Sequence, residues 1–582
     1  MESGVIDRRN FLIFERFIRR GVSIFVARMK ISSKKVVSYI LGALKSAGIT
    51  DVVLTPGSRN APFSISIANT PIFETYSIVD ERSAAFFALG LSQQSKKPTV
   101  LICTSGTALL NYAPAIAEAY YQRIPLLVIS ADRPEEWIDR GEGQSIRQNN
   151  VFQNYADYSA SLIADEKDSS HRNKEIIQNT IQYLISNNGP VHLNVPFQEP
   201  LYELIECDEL PSFQFEMKEN SVDGLKEIRH SLEILQQAER IMVLVGQHIY
   251  EDFSKELELF NQLNQVVVLT ETHANVNIEN AFPCIDRLIM GLGGNAQEML
   301  APDVLITVGT NIISRKVKAI LRKAKPKHIQ VGVNEKPMDT FDCLEVQCEL
   351  SPQDFFSSLK EIESKSEWKK DMISIQGNQI KQVEKWLPHA VFSDLTVFSS
   401  ILKFIPNGTN VQMGNSSVVR YIQLFNQNKN VTYFGNRGVA GIDGSTSTAI
   451  GAAWKTKKPT LIISGDLSFH YDSNAFWNNY ISNQLKVIVI NNGGGGIFRI
   501  IDGSKDTEHL QQFFETSHSN KSIKGIAELY NLSYFSAANY DELNRALPLF
   551  FEEKRVCVLE IFTPKEDNPK ALDAFFQHTQ RI

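Results

Sequence analysis

Asp466 and Asn492 are the residues of this sequence most suited to chemistry. Asp466 closes the apolar run Thr460-Leu461-Ile462-Ile463-Ser464-Gly465-Asp466, and Asn492 closes Val487-Ile488-Val489-Ile490-Asn491-Asn492, ahead of four glycines from Gly493. Short apolar runs bounded by polar and glycine signals read as buried parallel strands, whose carboxyl ends share one crevice. A carboxylate, a side-chain amide oxygen and a backbone carbonyl of the flexible glycine run are hard oxygen donors. That set suits Mg²⁺ holding a diphosphate. Standing alone, two polar strand ends could also serve as caps of helices and turns.

Such residues need a scaffold, and the bulk properties bound it. At 582 residues the chain is too long for one core, and ordinary domain sizes give roughly three or four units. Hydrophobic content of 43% with 21% charged residues argues against disorder. The net charge of -7 gives no general attraction to nucleic acid, while leaving room for a local basic pocket for small anions. Cys103, Cys207, Cys284, Cys343, Cys348 and Cys557 are scattered, with no CxxC pair and no histidine at metal spacing. They read as core thiols of a reducing compartment and not as a zinc site. No apolar run approaches the ~20 residues a bilayer requires. A cytoplasmic protein is expected, without a nucleic-acid partner or stable membrane insertion.

The first thirty residues mix arginines (Arg8, Arg9, Arg16, Arg19, Arg20, Arg28) with apolar side chains. An amphipathic surface helix or a targeting peptide has this composition. The preferred reading is an extension over 1–30 ahead of a natural start at Met29, because a domain-like pattern begins at Ile31.

From there the expectation is α/β throughout: three doubly wound parallel-sheet domains, at 31–205, 206–385 and 386–582. In the first, strands at Val52–Leu54, Val100–Cys103, Leu126–Ile129 and Val191–Val195 alternate with helical stretches. Chemically rich groups follow them, at Thr55–Arg59, Thr104–Thr107 and Ser130–Pro134. The second unit has strands at Ile241–Val245, Val266–Leu269, Val304–Val308 and Ile329–Val333, with plainer ends. The third is rich again, at Met413–Ser416, Phe434–Gly438, Ser464–Ser468 and Ile490–Gly493. Two rich units around a plain one suggest a site shared between two sheets. A helix over Ser468–Ile481 would turn free N–H groups toward a phosphate, so Leu467 and Ser468 would touch the diphosphate.

Arg59, Arg133, Arg420 and Arg437 follow strands or begin helices on the crevice side, where planar guanidinium groups can grip carboxylates in a bidentate way. Taken singly, an arginine is more often a solvated surface charge.

The motifs TPGSRN at 55–60, DERSAAFFALGL at 80–91, TSGTA at 104–108, ADRP at 131–134, GQSIRQ at 143–148, GNSSVVR at 414–420, GNRGVAGIDG at 435–444, GDLS from Gly465 and NNGGGGIF from Asn491 occur together. With them the chain from Met29 resembles the thiamine diphosphate-dependent 2-succinyl-5-enolpyruvyl-6-hydroxy-3-cyclohexene-1-carboxylate synthase family of menaquinone biosynthesis. The resemblance implies a transferase that decarboxylates 2-oxoglutarate and adds the remaining four carbons in conjugate fashion to isochorismate. It implies thiamine diphosphate and Mg²⁺ (or Mn²⁺) as cofactors, and pyrimidine-binding, central and diphosphate-binding domains. It also implies a homodimer or dimer of dimers, with each site between the first unit of one subunit and the third of its partner.

Residue by residue, the resemblance assigns the metal to Asp466, Asn492 and the Gly494 carbonyl, and proton shuttling at the pyrimidine to Glu81. Asn415, Ser416, Gly441, Ile442, Asp443, Leu467 and Ser468 would contact the cofactor. Leu467 stands where much of the superfamily has glycine. Ser58, Arg59, Arg133, Gln144, Arg420 and Arg437 would bind substrate, with Ile497 and Phe498 as an apolar wall. A basic position from the central unit falls on Arg315 or Lys316. Another 2-oxo-acid decarboxylase or an acetolactate synthase is the rival enzyme, and a scaffold that lost activity is the rival of a different class.

Overall fold

The computed structural model describes residues 28–164, 169–216, 225–333, 336–359, 362–518 and 521–580. The reading of an N-terminal extension therefore falls, for residues 1–27, outside the described residues.

The apolar runs become strands because their side chains can be buried on both faces, as parallel sheets covered by helices demand. Val52, Val100, Leu127, Ile241, Val304, Leu461 and Val487 are all buried. In the first unit the strand order across the sheet is Glu74–Ser77, Asp51–Leu54, Thr99–Cys103, Leu126–Asp132, Val191–Pro196, Tyr158–Ser161, every pair parallel. The third unit runs Thr432–Gly435, Asn410–Met413, Thr460–Gly465, Leu485–Asn491, Cys557–Phe562, Ser533–Ala537, again all parallel. Counted along the chain, both sheets have the order 2-1-3-4-6-5. The central sheet, from Val266–Thr270 to Leu344–Cys348, follows 2-1-3-4-5.

This order creates a switch point between the first and third strands of each sheet, where successive connections leave to opposite sides and open a crevice. In the third unit those strands end at Met413 and Gly465, so Asn415, Ser416 and Asp466 face one crevice. In the first unit they end at Leu54 and Cys103, which places Ser58, Arg59, Thr104 and Ser105 at the equivalent position.

Two expectations shift. The strand placed at Ile329–Val333 lies at Lys327–Val331, because the Lys327 N–H already pairs with the Asp303 carbonyl at 3.0 Å. The helix expected over Ser468–Ile481 is instead Asp466–Tyr471, followed by a 3₁₀ turn at Ser473–Phe476. It stops because the buried Asp472 carboxylate accepts from the Ser447 N–H at 2.7 Å and its hydroxyl at 2.8 Å. That capture pulls the chain onto the neighbouring helix.

Beyond its sheet, the first unit adds an antiparallel pair between Met29–Ser32 and Leu204–Cys207. Leu210 is buried in the same core, and Phe213 and Phe215 pack against it. Helix Glu81–Ser95 of the first unit then packs along helix Ser445–Thr456 of the third. The approach is close enough that a Cβ on Gly90 or Gly451 would overlap the opposite backbone. Phe86, Phe87, Ala449 and Ile450 share one apolar core, and each buried phenylalanine contributes about 1.5–3 kcal/mol. Lys455 pairs with Asp51 at 2.7 Å at the edge of this contact.

Candidate active site

The crevice of the third unit is a cavity of about 520 Å³. Asp466, Leu467, Ser468, Asn492 and Gly494 line it together with Asn415, Ser416, Ile442, Ile497 and Phe498. Arg315, Arg420 and Arg437 line it too. Gly441 and Asp443 stand just behind: the Gly441 carbonyl accepts from Asn415 at 2.6 Å, and a side chain on Gly441 would collide with the Asp443 carboxylate.

Asp466 is 2% exposed. Its Oδ1 accepts from the Leu467 N–H and its Oδ2 from the Gly494 N–H, each at 2.8 Å. Burial pushes its carboxyl up to about 6 against those two bonds, and the nearby Asp394 adds to the rise. Asn492 donates Nδ2–H to Asp394 Oδ2 at 3.0 Å, while its buried Oδ1 has no partner. The site thus holds two buried carboxylates and an orphaned amide oxygen, and burying such groups uncompensated costs several kcal/mol. A divalent cation would compensate the Asp466 charge and the orphaned Asn492 oxygen. The Gly494 backbone has φ +143°, and a Cβ there would lie 2.6 Å from the Glu515 carbonyl, so only glycine fits. The Gly494 carbonyl accepts from Gly496 at 3.0 Å and retains a second lone pair. At Gly465 a Cβ would meet nothing within 4 Å, so the strand end leaves open space where a phosphate needs room. These residues fit a metal–diphosphate group.

The loop holding Ile442 is fixed from two sides. Ser468 donates its hydroxyl to the Ile442 carbonyl at 2.8 Å, and Asn415 donates to the Asn436 carbonyl at 2.8 Å. Ser416 and Ala440 adopt φ of +68° and +60°, which is strained backbone of the kind concentrated at functional sites.

The cations line the same cavity. Burial pushes the Arg437 guanidinium down to about 10, with Arg420 adding to the shift, and its NH1 donates to Asn415 Oδ1 at 2.6 Å. Burial also lowers Arg420, with Arg315 next. Such like-charged, partly desolvated guanidinium groups are primed for anions. Of the two residues offered for the central unit's cation, Arg315 lines the cavity and Lys316 does not. Lys318 does. Arg315 and Lys318 are three apart on helix Arg315–Ala324, whose N-cap Ser314 takes the Val317 N–H at 3.1 Å, so they share one face. Helical spacing could have found Lys318.

Sequence reasoning also missed three supports. Asp394 orients Asn492. His518 Nε2 lies 3.0 Å from Asp466 Oδ2. Glu118, on helix Ala113–Gln122 of the first unit, accepts from the N–H groups of Gly438 and, at 2.8 Å, Val439, and so holds the arginine loop. None of the three lies in the quoted motifs.

The first-unit residues gather elsewhere. Arg59 NH1 donates to the Phe197 carbonyl at 3.2 Å and pairs with Glu199 at 3.1 Å. Arg133 NH1 donates to Ser105 at 2.7 Å and to the Gln144 carbonyl at 2.8 Å. Burial is the main cause lowering Arg59, and Arg133 contributes to the same shift, so the two arginines are electrostatic neighbours. Ser58 is exposed beside them. Glu81 opens helix Glu81–Ser95, with Asp80 capping it by accepting from Ser83 at 3.1 Å. Among the described residues, none of the first unit lines the third-unit cavity.

Paired doubly wound units with a metal–diphosphate cradle on one and a glutamate-led helix on the other define a thiamine diphosphate enzyme. In agreement, residues 34–160 match the family described as thiamine pyrophosphate enzyme, N-terminal TPP binding domain, and residues 412–561 match its C-terminal TPP binding domain. A 2-succinyl-5-enolpyruvyl-6-hydroxy-3-cyclohexene-1-carboxylate synthase of Flavobacterium psychrophilum is 41% identical over 93% of this chain and 98% of its own length. Synthases of the same name from Porphyromonas gingivalis and Bacteroides fragilis are 36% and 34% identical, each over 94% of this chain and over 97% and 99% of their own lengths. The chain belongs to this synthase family. Among the described residues no helix is long and apolar enough to cross a membrane.

Proposed function

We propose that this chain uses thiamine diphosphate and Mg²⁺ to decarboxylate 2-oxoglutarate and to add the remaining four carbons to isochorismate. The product would be 2-succinyl-5-enolpyruvyl-6-hydroxy-3-cyclohexene-1-carboxylate, a step of menaquinone biosynthesis. The observation that carries this reading is the single cavity lined by the metal–diphosphate residues and by Arg315, Lys318, Arg420 and Arg437. Both substrates are dicarboxylates, and an enzyme for small monocarboxylates has no need of four cations. That argues against an acetolactate synthase or a simple decarboxylase. A scaffold would have no use for the orphaned Asn492 oxygen.

Asp466, Asn492 and the Gly494 carbonyl would hold the metal, which Mn²⁺ could replace, and Ser468 and Leu467 the diphosphate. When bound, thiamine diphosphate supplies the nucleophilic carbon and the electron sink for decarboxylation. Ile442 lines the cavity, where it would pack against the cofactor. The arginines and Lys318 would fix the substrate carboxylates. Ile497 and Phe498 would cover the ring and keep water away. Glu81 would exchange a proton with the pyrimidine nitrogen.

Because Glu81, Ser58, Arg59, Arg133 and Gln144 belong to the first unit and none of them lines the third-unit cavity of the same chain, a complete site would need a second copy. A homodimer, or a dimer of dimers, supplies it. All six cysteines are unpaired, which supports a cytoplasmic location. The test is Glu81→Gln. Turnover should fall nearly to zero while Mg²⁺ and cofactor binding persist, and mixing these chains with inactive Asp466→Ala chains should restore part of the activity. Full activity of Glu81→Gln alone, or no recovery in a verified mixed dimer, contradicts the reading.

A further inference from the structure

The central sheet carries a cluster of ligating atoms that the thiamine chemistry does not use. His328 lies on strand Lys327–Val331, while Asp339 and Cys343 lie on the turn that leads into the edge strand Leu344–Cys348. One ligating atom from each of the three comes within 4.8 Å of the other two. The imidazole is 1% exposed. One ring nitrogen, Nε2, meets Thr307 Oγ1 of the adjoining strand at 2.8 Å, and the other, Nδ1, is buried without a partner. A buried ring nitrogen left unpaired costs about 1–3 kcal/mol unless something takes its lone pair. The edge of Phe341 packs against the same ring, with centroids 5.4 Å apart, and holds it toward the turn.

We propose that His328 Nδ1, an Asp339 carboxylate oxygen and Cys343 Sγ form a binding site for a thiophilic divalent cation of the Zn²⁺ class. A nitrogen, a sulfur and an oxygen donor in three-fold convergence match the borderline-soft preference of Zn²⁺, whose bonds of ~2.0–2.3 Å leave a fourth tetrahedral position for water. Mg²⁺ and Ca²⁺ prefer all-oxygen sets and would not choose a thiolate. The surrounding contacts are those a metal site requires. With Nδ1 ligating, Nε2 keeps its proton and donates to Thr307, which fixes both tautomer and ring orientation. Asp339 Oδ1 already accepts from the Cys343 N–H at 2.8 Å and the Leu344 N–H at 3.1 Å. This places the Asp339 and Cys343 side chains on one turn and leaves the exposed second carboxylate oxygen for the ion. Thiolate and carboxylate together balance the charge of the cation, and the thiol proton passes to water on binding.

The site would brace a segment with a second task. Gln330 ties the start of the same segment to the sheet, accepting from the Met338 N–H at 3.0 Å and donating to the Lys336 carbonyl at 3.2 Å. Lys336 reaches the first unit, pairing with Asp157 at 2.8 Å and with the Tyr120 hydroxyl at 2.7 Å. An ion at Cys343 would therefore stiffen the clasp between the central and first units. His328 and Cys343 stand fifteen residues apart with no CxxC or HxxxH pair beside them, so no metal motif exposes the site in the sequence.

Co²⁺ is the probe, because thiolate ligation gives a sulfur-to-cobalt charge-transfer band that oxygen ligands at Asp466 and Asn492 cannot produce. The full chain, stripped by a chelator and reloaded with Mg²⁺ and thiamine diphosphate, should take up Co²⁺ with that band. Zn²⁺ should bleach it, and Cys343→Ser should lose it. In the wild-type chain Zn²⁺ should also slow alkylation of Cys343, mapped by peptide mass, by roughly tenfold or more, since metal-bound thiolate is withheld from the reagent. No band in the wild type, a band undiminished in folded Cys343→Ser, or unchanged alkylation of Cys343 overturns the proposal.

Discussion

Asn492 donates its side-chain N–H to the Asp394 carboxylate across 3.0 Å, and this bond decides which atom of the amide is left over. The remaining Oδ1 is buried and unpartnered, next to the Asp466 that shares its cavity. Asp394 is a rigid anchor, since its own Oδ1 accepts from Thr563 and its N–H donates to Asn568 at 2.8 Å. The amide oxygen proposed for the metal is therefore aimed by a residue outside the glycine-rich motif. Asp394→Ala should free the amide to rotate and weaken Mg²⁺ binding by about 10–100-fold, the usual cost of losing an outer-shell partner. The Mg²⁺ dependence of thiamine diphosphate retention in equilibrium dialysis reads this. An unchanged dependence contradicts it.

Glu118 reaches from the first unit to the N–H groups of Gly438 and Val439, next to Arg437. Burial raises its carboxyl above the ordinary range, with the Val439 N–H pulling it back. In Glu118→Gln one of the two N–H groups faces an amide NH₂, a loss of about 1–3 kcal/mol. Raised KM for 2-oxoglutarate or isochorismate is expected in steady-state kinetics. A lower melting temperature with unchanged KM would assign Glu118 to stability alone.

Lys318 lines the cavity and the exposed Lys316 does not. Lys318→Ala should raise substrate KM by about 10–100-fold, the equivalent of one charged hydrogen bond of roughly 1.5–3 kcal/mol. Lys316→Ala should stay within about twofold, as surface charges away from a site do. Reversed effects would return the basic position to Lys316.

Glu271 gives the cationic wall a pH dependence. Its Oε1 accepts from the Ile313 and Ser314 N–H groups at 3.1 Å, and burial pushes the carboxyl up to about 7. Asp286 adds to that rise, while the Ser314 N–H and the nearby Arg437 oppose it. Above that pH its negative charge offsets part of Arg420 and Arg437; below it, protonation leaves the pocket one charge more positive. KM for the dicarboxylates should therefore fall as pH drops through about 7, and Glu271→Gln should hold KM low and flat. The folded state binds this proton more tightly than the unfolded chain, so the same group lowers stability as pH rises toward 7. KM profiles of the two proteins that run in parallel would contradict the assignment.

Much of the fold is legible in the sequence. Ile241–Val245 and Val304–Val308 occur where their apolar runs put them, because strands buried on both faces favour apolar side chains. Glu74–Ser77 and Tyr158–Ser161 carried no such signal, being edge strands that stay partly exposed. Cys557–Phe562 hides its run behind Glu560, whose buried carboxylate is taken up by Asn491 at 2.7 Å and Tyr534 at 2.7 Å. Within the site, residues at strand ends were readable because the sheet order sends those ends to one crevice. Asp394, Glu118 and His518 were not, because each acts through a partner distant in sequence. Adjacency offers Arg315 or Lys316 for the basic position, while the three-residue spacing of a helix turns Lys318 to the same face as Arg315.

In the proposed reaction, the metal–diphosphate cradle and four cations of one cavity serve decarboxylation of 2-oxoglutarate coupled to isochorismate. The most direct test incubates the purified chain with Mg²⁺, thiamine diphosphate and 2-oxoglutarate, with and without isochorismate, and follows CO₂ together with product mass. Release of CO₂ that depends on isochorismate and matches formation of the succinyl adduct is the expected result. Turnover of pyruvate alone, or CO₂ release indifferent to isochorismate, would contradict it.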